Sequence, residues 1–273
     1  MPEKIPLLYI AGTGRSGSTL AAAILASSPG VVAVGEVRHI WTRGFVEGWH
    51  CGCGAAFARC PFWQEVLQEA ALTRTQIDLD RLRTSERELL RLKSSVNLCR
   101  WVRAPHLLRS KHAYYLDAVE RLYGAIAKVA QADAIVDSSK NPIYGATLGT
   151  MNSVDLRVIH LVRDPRAAAY SWLNPKPSPD RAEGATMDRL GTAKSALLWT
   201  WWNALAEGLW PAGGSVPVIR TRYETLIRNA GPTLREARDR LLPEHAGRPL
   251  SVEGTTARLA VAHTVSGNPD RMK

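Results

Sequence analysis

No stretch of about 18 consecutive apolar residues occurs, so the sequence offers no transmembrane helix. The apolar part of the N-terminal MPEKIPLLYI is too short for a secretory signal, and a glycine-rich loop follows at once. A cytoplasmic protein is the expectation. Cysteine is scarce: there are 4, and the three in HCGCGAAFARCPFW (Cys51, Cys53, Cys60) do not form a paired C-x-x-C zinc pattern. They could bind a metal with His50, or two could pair in an oxidising compartment. The expectation adopted is a structural turn with no metal, its thiols kept reduced. Acidic residues are also short, 25 against 35 Lys and Arg, giving a net charge of +10. That balance suits an anionic ligand or acceptor. Nucleic acid is disfavoured because no zinc-finger, RNP or basic-zipper pattern is present. Repeats and low-complexity linkers are missing too, and 273 residues suffice for one sizeable core.

What is present alternates between strand and helix. Residues 6–11 read as a buried strand bounded by Gly12, Ser16 to about Ser27 as a helix ended by Ser28-Pro29-Gly30, and Val31–Val34 as a second strand ended by Gly35-Glu36. This is the β-α-β rhythm of a parallel sheet. The rhythm breaks over residues 37–131: a Gly/Cys-rich loop is followed by a mostly helical stretch from Thr75 to Gln131. Between Arg81 and Lys111 that stretch carries nine Lys/Arg and two Asp/Glu, a solvated helix face or the mouth of a site for an acidic acceptor. The sheet pattern returns with Ala134–Val136, Leu156–Val162 and Val216–Arg220. Asp164-Pro165 reads as N-cap and first residue of a helix, Thr192–Leu209 as a helix in which Trp199, Trp201 and Trp202 pack, and YETLIRNA as the opening of another. The fold class is α/β: one P-loop-containing three-layer domain over 1–273, with a central parallel sheet flanked by helices and a helical, acceptor-side insertion at 37–131.

The loop GTGRSGST (12–19) fits G-x-x-x-x-G, with Ser18-Thr19 where a Walker loop has Lys-Ser/Thr. Its glycines let backbone N–H groups close on phosphate oxygens at a helix N-terminus. Without the lysine, and without a clear aspartate-bearing strand for Mg²⁺, ATP hydrolysis is disfavoured. In RVIHLVRDPRAAAYSW, Arg163 ends a buried strand, where open α/β sheets place ligand contacts. Ser171 lies seven residues after the N-cap, on the same helix face. Both could reach one phosphate, the arginine in fork geometry.

With VDSSKNP, RYETL and HTVSGNPDR, these two motifs resemble the sulfotransferases that use 3′-phosphoadenosine 5′-phosphosulfate (PAPS), in order and spacing over nearly the whole chain. The likeness is nearer to the tyrosylprotein and carbohydrate enzymes and their bacterial relatives than to the cytosolic steroid and phenol enzymes, which have TYPKSGT-like loops and a histidine base. The resemblance implies that Gly14, Arg15, Ser16, Gly17, Ser18 and Thr19 hold the 5′-phosphosulfate, and that Arg163 and Ser171 hold the 3′-phosphate. It implies that Tyr223 packs near the adenine and that Ser266, Gly267, Asn268 and Arg271 close over the nucleotide. PAPS has no γ-phosphate and commonly needs no Mg²⁺ in this family, so an arginine inside the loop can do what lysine and metal do elsewhere. The product would be 3′,5′-adenosine bisphosphate (PAP), and no metal is expected.

Glu36, at a strand end in VGEVRH, stands where the tyrosylprotein enzymes have a general base. As a helix N-terminal carboxylate it would instead satisfy backbone N–H groups, and His39, one turn on, is the rival base. Lys140 matches a lysine that touches the sulfate and would stabilise the bridging oxygen, with Asp137 orienting it. The expected catalytic set is Glu36, Arg15 and Lys140. Bacterial relatives usually continue past GNP-x-R with further helix, whereas this sequence stops at Lys273, so an incomplete lid is one expectation. A P-loop small-molecule kinase and a non-catalytic nucleotide-binding scaffold are the alternatives. The acceptor is open among carbohydrate, metabolite, lipid and tyrosyl hydroxyls. Trp41, Trp49, Trp63, Trp101, Tyr114 and Tyr115 of the insertion could stack on it or form core.

Overall fold

The computed structural model describes residues 4–91, 94–181, 185–253, 256–257, 259 and 261–269. Strand β1 (Ile5–Gly12) is an almost unbroken apolar run because both of its faces are covered. Leu7, Tyr9 and Ala11 point into one core and Leu8 and Ile10 into the other, the period-2 alternation of a strand between two helical layers. It pairs in parallel with β3 (Ala134–Lys140) on one side and β4 (Val154–Val162) on the other. With β2 (Val31–Gly35) and β5 (Val218–Arg222) at the edges, the sheet runs β2-β3-β1-β4-β5, parallel throughout.

Helices α1 (Ser18–Leu25) and α10 (Ala230–Leu241) cover the Leu8/Ile10 face through Ala21, Ile24, Leu234 and Ala237. The Leu7/Tyr9 face is covered by α5 (Pro105–Ala130), α6 (Pro142–Leu148) and α8 (Thr192–Leu209), with Leu122, Ile143 and Ala206 in its core. The same core extends into the insertion. There α2 (Pro61–Glu69), α3 (Leu79–Leu89) and α4 (Ser95–Arg103) join α5, with Trp63, Leu82 and Leu98 buried. The helical reading of residues 75–131 therefore agrees with the structure. Among the described residues no helix is long and apolar enough to cross a membrane.

Several boundaries differ from the sequence reading, two of them beside the cleft. Helix α1 starts at Ser18 rather than Ser16 because Arg15 (φ 68°) and its N-cap Gly17 (φ 83°) are left-handed and cannot belong to a right-handed helix. Strand β5 reaches Arg222 rather than Arg220, and α9 (Tyr223–Arg228) begins without a loop. The N-cap of α7 (Pro165–Leu173) is as expected: the Asp164 carboxylate accepts from Arg166 N at 2.8 Å and Ala167 N at 3.4 Å, and Pro165 follows.

Because every strand of the sheet is parallel, all five carboxyl ends emerge at one edge. Arg15 follows β1, Glu36 follows β2, Lys140 ends β3, Arg163 follows β4 and Tyr223 follows β5. Five segments separated by tens of residues thereby meet where open α/β sheets place their ligands.

Candidate active site

A cleft of about 720 Å³ lies along that edge, within the range of small-molecule sites. The loop after β1 forms its floor, with Gly14, Arg15, Gly17, Ser18 and Thr19 lining it. Gly17 is required twice over: its φ is +83°, and a Cβ there would lie 2.6 Å from the ring of Tyr223. Arg15 packs over Trp172 with its guanidinium 4.8 Å from the ring centroid, and its Nη1 points at Met187 Sδ (2.9 Å). Its Nε and Nη2, together with Ser16 Oγ and Arg163 Nε, are buried with no hydrogen-bond partner among the described residues. Buried donors of this kind are costly unless something accepts from them. A cluster around a glycine loop is the donor set an anion would satisfy. Burial pulls the Arg15 guanidinium below the usual arginine value.

Glu36 sits at one wall, 8% exposed, as β2 passes into a 3₁₀ turn at Val37–His39. Its Oε1 accepts from Lys140 Nζ at 2.6 Å, while Oε2 is 3.5 Å from His39 Nε2 and 3.6 Å from Arg43 Nη1. Burial alone would raise its pKa, but Lys140 and Arg43 outweigh burial and hold it at about 2. Glu36 is thus ionised at neutral pH. His39 is driven well below the usual histidine value by burial and by Arg38, Arg43 and Lys140, so it is neutral. Lys140 has φ 68° and is held by Ser138 O at 3.0 Å as well as by Glu36. The expectation that Asp137 orients Lys140 takes another form. Asp137 accepts from Ser139 N at 2.6 Å and from the Tyr123 hydroxyl, which fixes the end of β3 rather than the ammonium itself.

The segment ending at Asn268 closes the cleft. Ser266 O accepts from Glu36 N (3.3 Å), Ser266 Oγ accepts from Arg43 Nη1 (2.6 Å), and Asn268 N donates to Thr19 Oγ1 (3.1 Å). Ser266, Gly267 and Asn268 all line the cleft. Arg271 lies outside the described residues. Tyr223 lines the cleft beneath the Arg163 guanidinium, 4.3 Å from its ring centroid, and Arg163 Nη1 donates to Arg15 O at 2.6 Å. Ser171 is half-buried on α7 and is not among the cleft-lining residues, which take Ala168 and Trp172 from that helix.

The insertion contributes less to the cleft than its aromatics and charges suggested. Its lining residues fall between Arg38 and Gly54, and the described residues of the basic helical stretch supply none. Trp41, Trp63 and Tyr115 are core at 0–1% exposure, whereas Trp49 lines the cleft. Tyr114 accepts no such role either, its hydroxyl meeting Asp78 N at 2.7 Å. On α8, Trp199 and Trp202 line the cleft instead of only packing, and Trp201 is 44% exposed. Arg43 and Arg181, whose guanidiniums lie 4.4 and 4.2 Å from the Trp49 ring centroid, were missed. The spacing Glu36, His39, Arg43 (i, i+3, i+7) could have revealed the first, since helical turns put those positions on one face. Nothing local to the sequence marks Arg181.

A parallel sheet with a glycine loop after its first strand and a cation-rich cleft at its carboxyl edge defines an α/β protein of P-loop-like fold. Residues 6–241 match the Sulfotransferase family, and the chain belongs to it. The structure is similar to the Sulfotransferase Domain from the Curacin Biosynthetic Pathway, with a TM-score of 0.50 and 15% identity over 98% of this chain and 86% of that one. It is also similar to the Sulfotransferase Domain from the Synechococcus PCC 7002 Olefin Synthase, with a TM-score of 0.47 and 20% identity over 88% and 74%. Among curated proteins none matches the sequence.

Proposed function

We propose that the protein transfers a sulfuryl group from PAPS to a hydroxyl of its acceptor, with Glu36 as general base. The observation that carries this reading is the Lys140–Glu36 pair, 2.6 Å apart in the cleft whose floor is the glycine loop. A proton acceptor and a cation for a bridging oxygen stand together beside unpartnered anion donors. The donor set suits PAPS: Arg15 and the loop from Gly14 to Thr19 would hold the 5′-phosphosulfate, and Arg163 and Ser171, which are not among the lining residues of the cleft, would turn to the 3′-phosphate. Tyr223 would pack near the adenine, and Ser266 to Asn268, with Arg271, would close over the nucleotide. PAPS supplies the sulfuryl group and leaves as PAP.

Glu36 would take the acceptor proton as the acceptor oxygen bonds to sulfur and the sulfur–phosphate oxygen bond breaks. Lys140 and Arg15 would stabilise the charge released onto the phosphate. A carboxylate held at about pKa 2 is a weak base. If Lys140 turns from Glu36 toward the bridging oxygen, Glu36 gains basicity as the leaving group gains its counter-charge. One lysine movement thus serves both ends of the reaction. The cleft is also lined by rings and apolar groups, Trp49, Trp172, Trp199, Trp202, Leu198 and Val261 among them, which suits a ligand with a ring or apolar body.

The test is calorimetric binding of PAP, with ATP-Mg²⁺ as control, on wild type and Arg163→Ala. Removing a charge-assisted phosphate contact should weaken PAP at least about tenfold. Preference for ATP, or PAP binding unchanged in the variant, would refute the donor assignment.

A further inference from the structure

Cys51, Cys53, Cys60 and His263 bring one ligand atom each into a cluster whose members all lie within 4.8 Å of one another. Cys60 Sγ is 3.6 Å from Cys51 Sγ and 3.7 Å from Cys53 Sγ. His263 Nδ1 is 3.3 Å from Cys60 Sγ and 3.8 Å from Cys51 Sγ. A tetrahedral zinc ion with bonds of about 2.3 Å to sulfur and about 2.0–2.1 Å to nitrogen requires edges of roughly 3.8 Å between sulfurs and roughly 3.5 Å between sulfur and nitrogen. The four edges just given scatter around those values, and the other two are within 4.8 Å. They are far too long for a disulfide, and all three thiols are free.

The chain builds this arrangement from three places. Cys51 and Cys53 flank a tight turn in which Cys51 N donates to Ala55 O and Gly54 N to Cys51 O, both at 2.8 Å. Cys60 is the N-cap residue of α2, followed by Pro61. His263 arrives from more than 200 residues away, its ring stacked on Phe62 at 5.0 Å between centroids. Cys51 and Cys60 are fully buried, whereas Cys53, which also lines the cleft, and His263 are half-buried.

We propose that these four residues form a structural zinc site. Three thiolates and one imidazole in tetrahedral disposition select a soft-to-borderline metal, and four protein ligands leave no position open for catalysis. The site fastens the segment that walls the cleft. Directly after His263, Thr264 O accepts from Gly52 N (3.1 Å), Val265 N donates to Val34 O (3.0 Å), and Asn268 N reaches Thr19 Oγ1. Zinc clamps this segment onto the turn at 51–53 just ahead of those contacts. His263 takes the fourth position that sequence reading had offered to His50.

Elemental analysis of the full-length protein, purified under reducing conditions without chelator or added metal, tests the site. About one zinc per chain is expected. Cys60→Ser and His263→Ala should each cut that content at least about fivefold, and His50→Ala should keep it. Should the ligand variants fail to fold, the wild type decides alone. Stripped with chelator under reductant and given Zn²⁺ only, it should take up about one equivalent. Hydrogen exchange of the amides in 264–268 should then slow at least about tenfold relative to the stripped form. A wild type that holds and takes up less than about a tenth of an equivalent with its thiols reduced overturns the proposal. So does a disulfide between any two of the three cysteines. Loss of zinc in His50→Ala with retention in His263→Ala overturns the ligand set, and unchanged exchange at 264–268 overturns the clamp. None of these readouts depends on sulfuryl transfer.

Discussion

Substituting the two partners of the Lys140–Glu36 pair, singly and together, measures how far the cleft depends on it. The Glu36 carboxylate is held at about 2 against an ordinary 4.5 even though burial pushes it the other way. That depression corresponds to roughly 3 kcal/mol of preference for the charged form in the folded state. Lys140, at 2.6 Å, is the nearest cation and the largest single source. Glu36→Gln leaves a buried ammonium without its counter-charge, and Lys140→Met leaves a buried carboxylate with the more distant Arg43 and a neutral His39 beside it. Each should destabilise by about 3–5 kcal/mol, a fall in melting temperature on the order of 10 °C for a chain of this size. Lysine and methionine both carry a Cβ, so the strain of φ 68° at position 140 cancels in the comparison. The double variant should be more stable than the sum of the singles by about 2–3 kcal/mol, read from urea unfolding at pH 7. The pH dependence has a fixed sign. A depressed carboxylate stabilises fully above 4.5 and loses that contribution as pH falls toward 2, so the gap between wild type and Glu36→Gln should narrow below pH 4.5. Additivity within about 0.5 kcal/mol would refute the coupling, and with it the idea that moving Lys140 alters the basicity of Glu36.

Gly17→Ala forces a Cβ to 2.6 Å from Tyr223 at φ 83°. It should cost about 1–3 kcal/mol in stability and at least about tenfold in PAP affinity, checked by unfolding and calorimetry. Because Glu36 is already ionised above about pH 2, kcat/KM should show no acid limb from it between about pH 5 and 7. Glu36→Gln should lower kcat by about 10²–10⁴, whereas His39→Ala should lower it less than about tenfold. The reverse order in steady-state assays with PAPS would make His39 the base.

The sheet was legible because its strands are short apolar runs covered on both faces, and a parallel arrangement then fixes where their ends must go. Arg15, Glu36, Lys140 and Tyr223 each stand at or just after the carboxyl end of a strand, and those ends share an edge; the family resemblance, rather than strand position alone, points to Lys140 and Tyr223. Helix α8 was legible to the residue, Thr192–Leu209, yet the roles of its tryptophans were not. An aromatic on a helix looks the same whether its face meets the core or a cleft. Trp199 lines the cleft and also donates its Nε1–H to Arg163 O at 2.8 Å. The basic stretch from Arg81 to Lys111 misled in the opposite sense. Its charge suggested an acceptor mouth, but α3 to α5 contribute to the core beside the sheet, and none of their described residues lines the cleft.

The contacts that sequence reading could not reach are those made across the largest separations, and they converge on residues 263–268. Cys51, Cys53 and Cys60 invited a fourth ligand, and the neighbour His50 was the natural choice because local spacing was the only guide. The chain instead brings back His263, since Val265 N pairs with Val34 O at the end of β2 and draws the preceding residues over the turn at 51–53. Gly35 shows why this return is fixed: at φ 76°, a Cβ there would lie 2.5 Å from Ser266 O. The glycine that precedes the candidate base exists to let the closing segment lie against it. The same strand end therefore presents Glu36 to the cleft and seats the segment that walls it, so the placement of the candidate base and the walling of the cleft have one structural origin.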